Sequence, residues 1–238
     1  MPRSRVLIIL VVVVVAIGVG GFLLYDQVLR GDSAAALGLP AASSDPATGG
    51  AAASFDGTVA GTWNVGSGSV AGYRVREQLA TLSAESDAVG RTDAVTGSIA
   101  IETSGSTSTL MSGSLTVDTT SITSDKPQRD DRLRREGLQT DTYPTATITL
   151  TKPVEIPAAA LSGTASDLTL TGDLTIHGVK KSVDIPAKAQ LLDGTIQVAG
   201  SLSFPLSDYG MTAPNIGGFI ISIADTGTLE FLVDFTKA

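Results

Sequence analysis

Leu168-Thr169-Leu170-Thr171-Gly172-Asp173-Leu174-Thr175-Ile176, with His177-Gly178 behind it and then Val183-Asp184-Ile185-Pro186-Ala187-Lys188-Ala189, decides the fold. In the first run the even positions carry apolar or small side chains and the odd ones carry threonine and aspartate. A period of two puts each set on its own face of a pleated strand, the pattern of a half-buried antiparallel sheet. Threonine suits the polar face because its branched Cβ fits the pleat. His177-Gly178 has the chemistry of a tight hairpin turn.

The same alternation recurs in Ala146, Ile148 and Leu150, in Ile196, Val198, Gly200 and Leu202, and in Leu229, Phe231, Val233 and Phe235. Asp193-Gly194 and Asp225-Thr226-Gly227 read as further turns. About eight strands are expected, with no helical periods between them. They form a sandwich or, better, a closed barrel that leaves no exposed sheet edge. One segment departs from the rhythm. Ser124 to Gly137 has Ser/Asp capping residues, Pro127 near the first turn and a terminal glycine, and reads as one short helix.

Val59 to Ala238 is the β domain, and residues 26–58 are a flexible linker of Ala, Gly, Ser and Pro. Such a composition buries too little apolar surface to offset its ordering entropy, and the linker reaches roughly 30 Å as a coil. Upstream, Val6 to Tyr25 is an uncharged apolar run of twenty residues, the length of a membrane-spanning helix. Arg3 and Arg5 precede it, so residues 1–5 are expected in the cytoplasm and the β domain outside, on a single-pass membrane anchor. A cleaved signal is the rival reading, with Ser33-Ala34-Ala35-Ala36 as the cut region and a secreted product.

Composition removes several functions. There is no cysteine, which excludes thiol catalysis and thiolate metal sites. The formal charge is −8; residues 1–30 hold three arginines and one aspartate, +2, which leaves −10 for residues 31–238. An acidic domain lacks the basic footprint of a nucleic-acid binder. The one histidine, His177, sits at a hairpin tip without a nucleophile-elbow pattern nearby, and a turn role fits it better than catalysis. Asp130-Asp131 lacks calcium-loop spacing, and its arginine neighbours 129, 132, 134 and 135 point to local ion pairs. No metal, cofactor or enzymatic activity is expected. The apolar interior is either side-chain filled or hollow enough for one small ligand, and Gly72, Gly113, Gly172 and Gly200 either widen it or mark bends.

The order of motifs resembles the YceI-like family of polyisoprenoid-binding, lipocalin-like proteins. The residues that carry the resemblance are Trp63-Asn-Val, Ser69 to Val75, Val95-Thr-Gly97, Gly113 to Ile122, Gln128 to Leu133, Tyr143 to Ile148, Leu168 to Val179 and Leu206 to Met211. Together they cover residues 61–236 in the family's order. The resemblance implies an extended, lipocalin-like eight-stranded barrel whose apolar cavity holds an isoprenoid lipid, a quinone tail or a polyprenyl chain. Tyr73, Val75, Leu115, Val117, Leu133, Leu138, Ile148, Leu170, Phe204, Tyr209 and Met211 are the implied lining or mouth residues. The implied role is an extracytoplasmic carrier or store; the alternative is an envelope structural or interaction domain with a filled barrel. Departures from the family pattern stand near Gly68 and at Arg132, where a histidine is usual, and in Gly137 to Thr142, where a Phe-rich stretch is usual.

Overall fold

The computed structural model describes residues 33–40, 57–79, 85–213 and 220–238; the expected anchor at 6–25 lies outside the described residues. Among the described residues no helix is long and apolar enough to cross a membrane. Residues 35–238 form one compact unit.

Its twelve strand segments are β1 (Gly61–Val65), β2 (Val70–Leu79), β3 (Glu85–Thr92), β4 (Val95–Ser104), β5 (Thr107–Asp118), β6 (Thr123–Ser124), β7 (Thr145–Leu150), β8 (Val154–Ile156), β9 (Ser166–Ile176), β10 (Val179–Leu192), β11 (Thr195–Pro205) and β12 (Ile220–Lys237). They make eight staves, because the first eight segments join in consecutive pairs. β1 and β2 run in line against β4 and β3, β5 and β6 run in line against the same two, and β7 and β8 both lie on β5. All neighbours are antiparallel. β12 closes the ring, pairing β1 through Val65↔Phe235 and β2 through Leu229↔Tyr73. The result is a closed up-and-down antiparallel barrel of eight strands.

Two local expectations are corrected. Asp225-Thr226-Gly227 is no chain reversal but an irregularity inside β12, where the register steps from Ile223↔Glu77 to Gly227↔Val75. Extra residues on one strand bend it without ending its ladder, so turn-type residues here serve a bulge. The expected helix from Ser124 to Gly137 is shorter: an α-helix over Pro127–Arg132 runs into a π-turn over Leu133–Gly137. Ser124 stays in β6 because the Asp130 carboxylate accepts its backbone N–H at 2.9 Å and its hydroxyl at 2.6 Å. A four-residue helix, Ala158–Leu161, was not legible in the sequence.

The inward rows carry the core. Ile185, Val233 and Trp63 are fully buried, with Phe231 and Phe235 beside them. Trp63 donates its indole N–H to the Val59 carbonyl at 2.8 Å, so its one polar atom is paired. Gly200 does not widen the interior. A Cβ there would lie 2.6 Å from the Phe231 ring, so the glycine supplies the space that ring fills.

The linker expectation spans residues of which 33–40, 57 and 58 are described. In that stretch Leu37 donates its backbone N–H to Glu230 at 3.3 Å, and Arg91 donates to the Ala35 carbonyl. Part of the segment therefore lies against the barrel wall.

Candidate functional site

Among the described residues, two apolar spaces lie inside the barrel. The larger, about 200 Å3, sits toward the end that carries the Pro127–Arg132 helix. Tyr73 and Val75 of β2, Leu115 and Val117 of β5, Ile148 of β7, Phe204 of β11, and Leu133, Leu138 and Met211 from the connecting segments line it. The smaller, about 80 Å3, lies toward the other end, where Leu170 and the Ala158–Leu161 helix border it. Leu115, Ile148 and Phe231 line both spaces and form a waist between them.

Tyr209 is placed elsewhere. It packs with Leu174, Ile176 and Met211, edge-on to Phe204 at 4.9 Å between ring centres, and is almost fully buried. The tight turn Leu206–Tyr209, ended by Gly210 in the left-handed region, lays its ring on Leu174, Ile176 and Phe204 while Met211 reaches the cavity. Burial, with Asp208 adding to it, pushes the Tyr209 hydroxyl up from the usual tyrosine range.

Sequence reasoning missed the polar corner of the larger space. Tyr73, Val75 and Glu77 share the inward row of β2, so a carboxylate occupies an apolar position of a period-two run. Glu77 is 2 % exposed, and Arg129 on the helix donates to it at 2.5 Å. Arg129 also pairs with Asp125 and reaches the Ser124 hydroxyl at 3.4 Å. Burial disfavours the Arg129 charge, but the carboxylates of Glu77 and Asp125 outweigh it and hold the pKa above its usual value. Removing two charges from water is costly, and only close pairing offsets it.

Tyr73 stands beside this pair. Its ring lies over Gly90, where a Cβ would approach it to 2.3 Å, so only glycine at that place leaves room for the ring. Its pKa is pushed up to about 12, chiefly by burial; Arg129 opposes the shift, and Asp130, Glu77 and Asp125 add to it. The hydroxyl therefore stays protonated as a donor. It is buried and has no partner, and the same is true of Arg129 Nε.

The other expected ion pairs are local. Arg134 bonds Asp131 at 3.1 Å, and Asp130 serves Ser124 as described. His177 occupies its turn at φ +51°, bonds the Tyr209 carbonyl through Nδ1 at 3.1 Å and packs on Tyr143. Among the described residues no cluster of metal-binding side chains occurs.

Residues 63–235 match the model of the YceI-like domain. Protein YceI of Escherichia coli O17:K52:H18 is 39% identical over 75 residues, which is 31% of this chain and 35% of that protein. Protein YceI of Shigella flexneri is 37% identical over 75 residues, 31% of this chain and 35% of that one. The chain thus spans about a third of the length of those relatives. Among solved structures, a polyisoprenoid binding domain from Saccharophagus degradans superposes with TM-score 0.57 at 21% identity, over 75% of this chain and 99% of that one. Burkholderia cenocepacia BcnA gives 0.53 at 18% identity, over 70% and 95%. Both likenesses concern the fold.

Proposed function

From the premise that the chain belongs to the YceI-like domain family, we propose that its barrel binds an isoprenoid lipid, a quinone tail or a polyprenyl chain, along the axis between Ala160 and the helix. The observation that carries this reading is the apolar space itself, divided at the waist and polar at one corner. A five-carbon isoprene unit buried there gains at most about 4 kcal/mol at ~0.8 kcal/mol per carbon, before the costs of ordering the chain. The role is binding and not catalysis. Selectivity for the tail rests on cavity length and shape.

The apolar stretch 6–25, with Arg3 and Arg5 before it, supports an anchor that keeps the barrel at the outer face of a membrane, where it sequesters or hands on lipid from that surface. Protease added to intact cells then removes the β domain. If the stretch is instead cut near Ser33, the barrel appears in the medium.

The barrel closes on itself and has its own core, so the fragment from Ala35 to Ala238 contains what the fold requires. Purified without detergent, this fragment is expected to carry an extractable isoprenoid, or to take one up in native mass spectrometry. A second reading, an envelope interaction domain with a filled barrel, draws support from Leu115, Ile148 and Phe231, whose side chains border both spaces. Absence of both bound lipid and uptake decides for it.

A further inference from the structure

We propose that the Tyr73 hydroxyl, together with Arg129 Nε, reads the polar head of the bound lipid, accepting uncharged heads that carry a hydrogen-bond acceptor and rejecting anionic ones. The inference rests on the lipid-binding reading and adds to it the chemistry of the head.

Three observations converge. The first is unused donor capacity. Arg129 spends Nη2 on Glu77 and Nη1 on Asp125 and Ser124, and its Nε N–H remains buried and unpaired. The Tyr73 hydroxyl is likewise buried and unpaired. A buried donor without an acceptor costs about 1–3 kcal/mol, so each is a place where a ligand acceptor gains more than it would in water.

The second is the sign of what is missing. Guanidinium N–H groups only donate, and a tyrosine kept protonated by its surroundings is a donor first. A carbonyl, ether or hydroxyl oxygen complements both. The third is the local charge. Arg129 and Arg132 line the space, against the carboxylates of Glu77, Asp125 and Asp130 around them. Glu77 and Asp125 already pair the Arg129 guanidinium, so a phosphate head entering this low-dielectric corner meets a charge that is largely neutralised. Glu77 is the decisive member, since it holds the Arg129 fork that would otherwise grip a phosphate.

Four probes of equal two-unit prenyl chain test this on the 35–238 fragment by equilibrium dialysis: a prenylated benzoquinone, the alcohol, the phosphate and the head-less hydrocarbon. The expected order puts the quinone above the hydrocarbon and the phosphate last. Tyr73→Phe is expected to weaken quinone binding about three- to tenfold, the worth of one hydrogen bond, while the hydrocarbon changes less than twofold. Glu77→Gln, which removes the inner carboxylate and its charge from Arg129 Nη2, is expected to improve phosphate binding relative to quinone at least tenfold. Wild-type protein that binds the phosphate as tightly as the quinone overturns the inference without any variant. So does a Tyr73→Phe protein that loses quinone and hydrocarbon affinity equally. If the wild-type fragment binds none of the four, the lipid-binding reading itself falls, and the head reading with it.

Discussion

Two glutamates of this barrel are each 2 % exposed, each faces arginine, and they do different things. Glu77 shares the inward row of β2 with Tyr73 and Val75, whereas Glu230 alternates with the core residues Leu229 and Phe231 along β12. Glu230 is fully occupied: Arg91 lies at 3.1 Å and Arg74 at 3.5 Å from Oε1, and Oε2 accepts the Leu37 N–H at 3.3 Å. Arg74 in turn holds Asp87 at 3.0 Å, and Arg91 holds the Ala35 carbonyl. Glu77 has one guanidinium, and beside that pair the Tyr73 hydroxyl is unpaired. An idle Nε is common to both arginines, Arg91 and Arg129, so it is not what separates the sites; the idle hydroxyl is. Burial and charge alone do not distinguish a structural ion pair from a recognition group. An unpaired hydroxyl on a residue that lines the cavity does.

The largest expected effect is at the inner pair. Glu77→Ala leaves Arg129 buried beside an exposed Asp125 and is expected to cost about 3–5 kcal/mol in urea unfolding of the 35–238 fragment. Glu230→Ala is expected to cost less, about 1–3 kcal/mol, because Arg74 keeps Asp87 and the outer wall lets water reach what is left. Equal or reversed costs break the contrast.

Next comes pH. A tyrosine whose pKa is raised in the folded state binds its proton more tightly there than in the unfolded chain. Its contribution is present below pH 10 and is lost as pH rises through the folded value of about 12. Over that window wild type is expected to lose about 2–3 kcal/mol more than Tyr73→Phe, from about 1.4 kcal/mol per pKa unit. Parallel alkaline unfolding curves for the two proteins would place the hydroxyl in solvent.

Gly90→Ala drives a methyl group into the Tyr73 ring and is expected to cost about 1–3 kcal/mol and to erase the preference for the quinone head. Unchanged head preference separates the ring position from recognition. The smallest effect belongs to the outer site. Leu37→Pro removes the N–H that Glu230 accepts and is expected to cost about 1 kcal/mol, with head preference intact.

Most of the barrel was legible in the sequence because period-two alternation reports directly which side chains face a core. Leu168 to Ile176 became β9 and Val183 to Ala189 part of β10, with His177-Gly178 as the turn between them. Ten of the eleven residues named from the family resemblance border one of the two spaces. Tyr209 escaped because a short turn, not a strand, sets its direction. The Asp225-Thr226-Gly227 bulge escaped because turn chemistry is the same whether the chain reverses or only bends. Glu77 and Arg129 escaped for a different reason. Their pairing crosses 52 residues of chain, and local charge reading gave Arg129 to its helix neighbours. The signal was present as a glutamate in phase with Tyr73 and Val75. Phe231 was visible as an inward residue, but its part in the waist depends on Gly200 across the ladder.

The most direct measurement is a crystal structure of the 35–238 fragment with a prenylated benzoquinone. The expected result is a chain threaded past Leu115, Ile148 and Phe231, with a head oxygen within hydrogen-bond distance of the Tyr73 hydroxyl and Glu77 still on Arg129. A prenyl chain found only on the outer wall, or an interior refilled by side chains with no ligand between them, contradicts it.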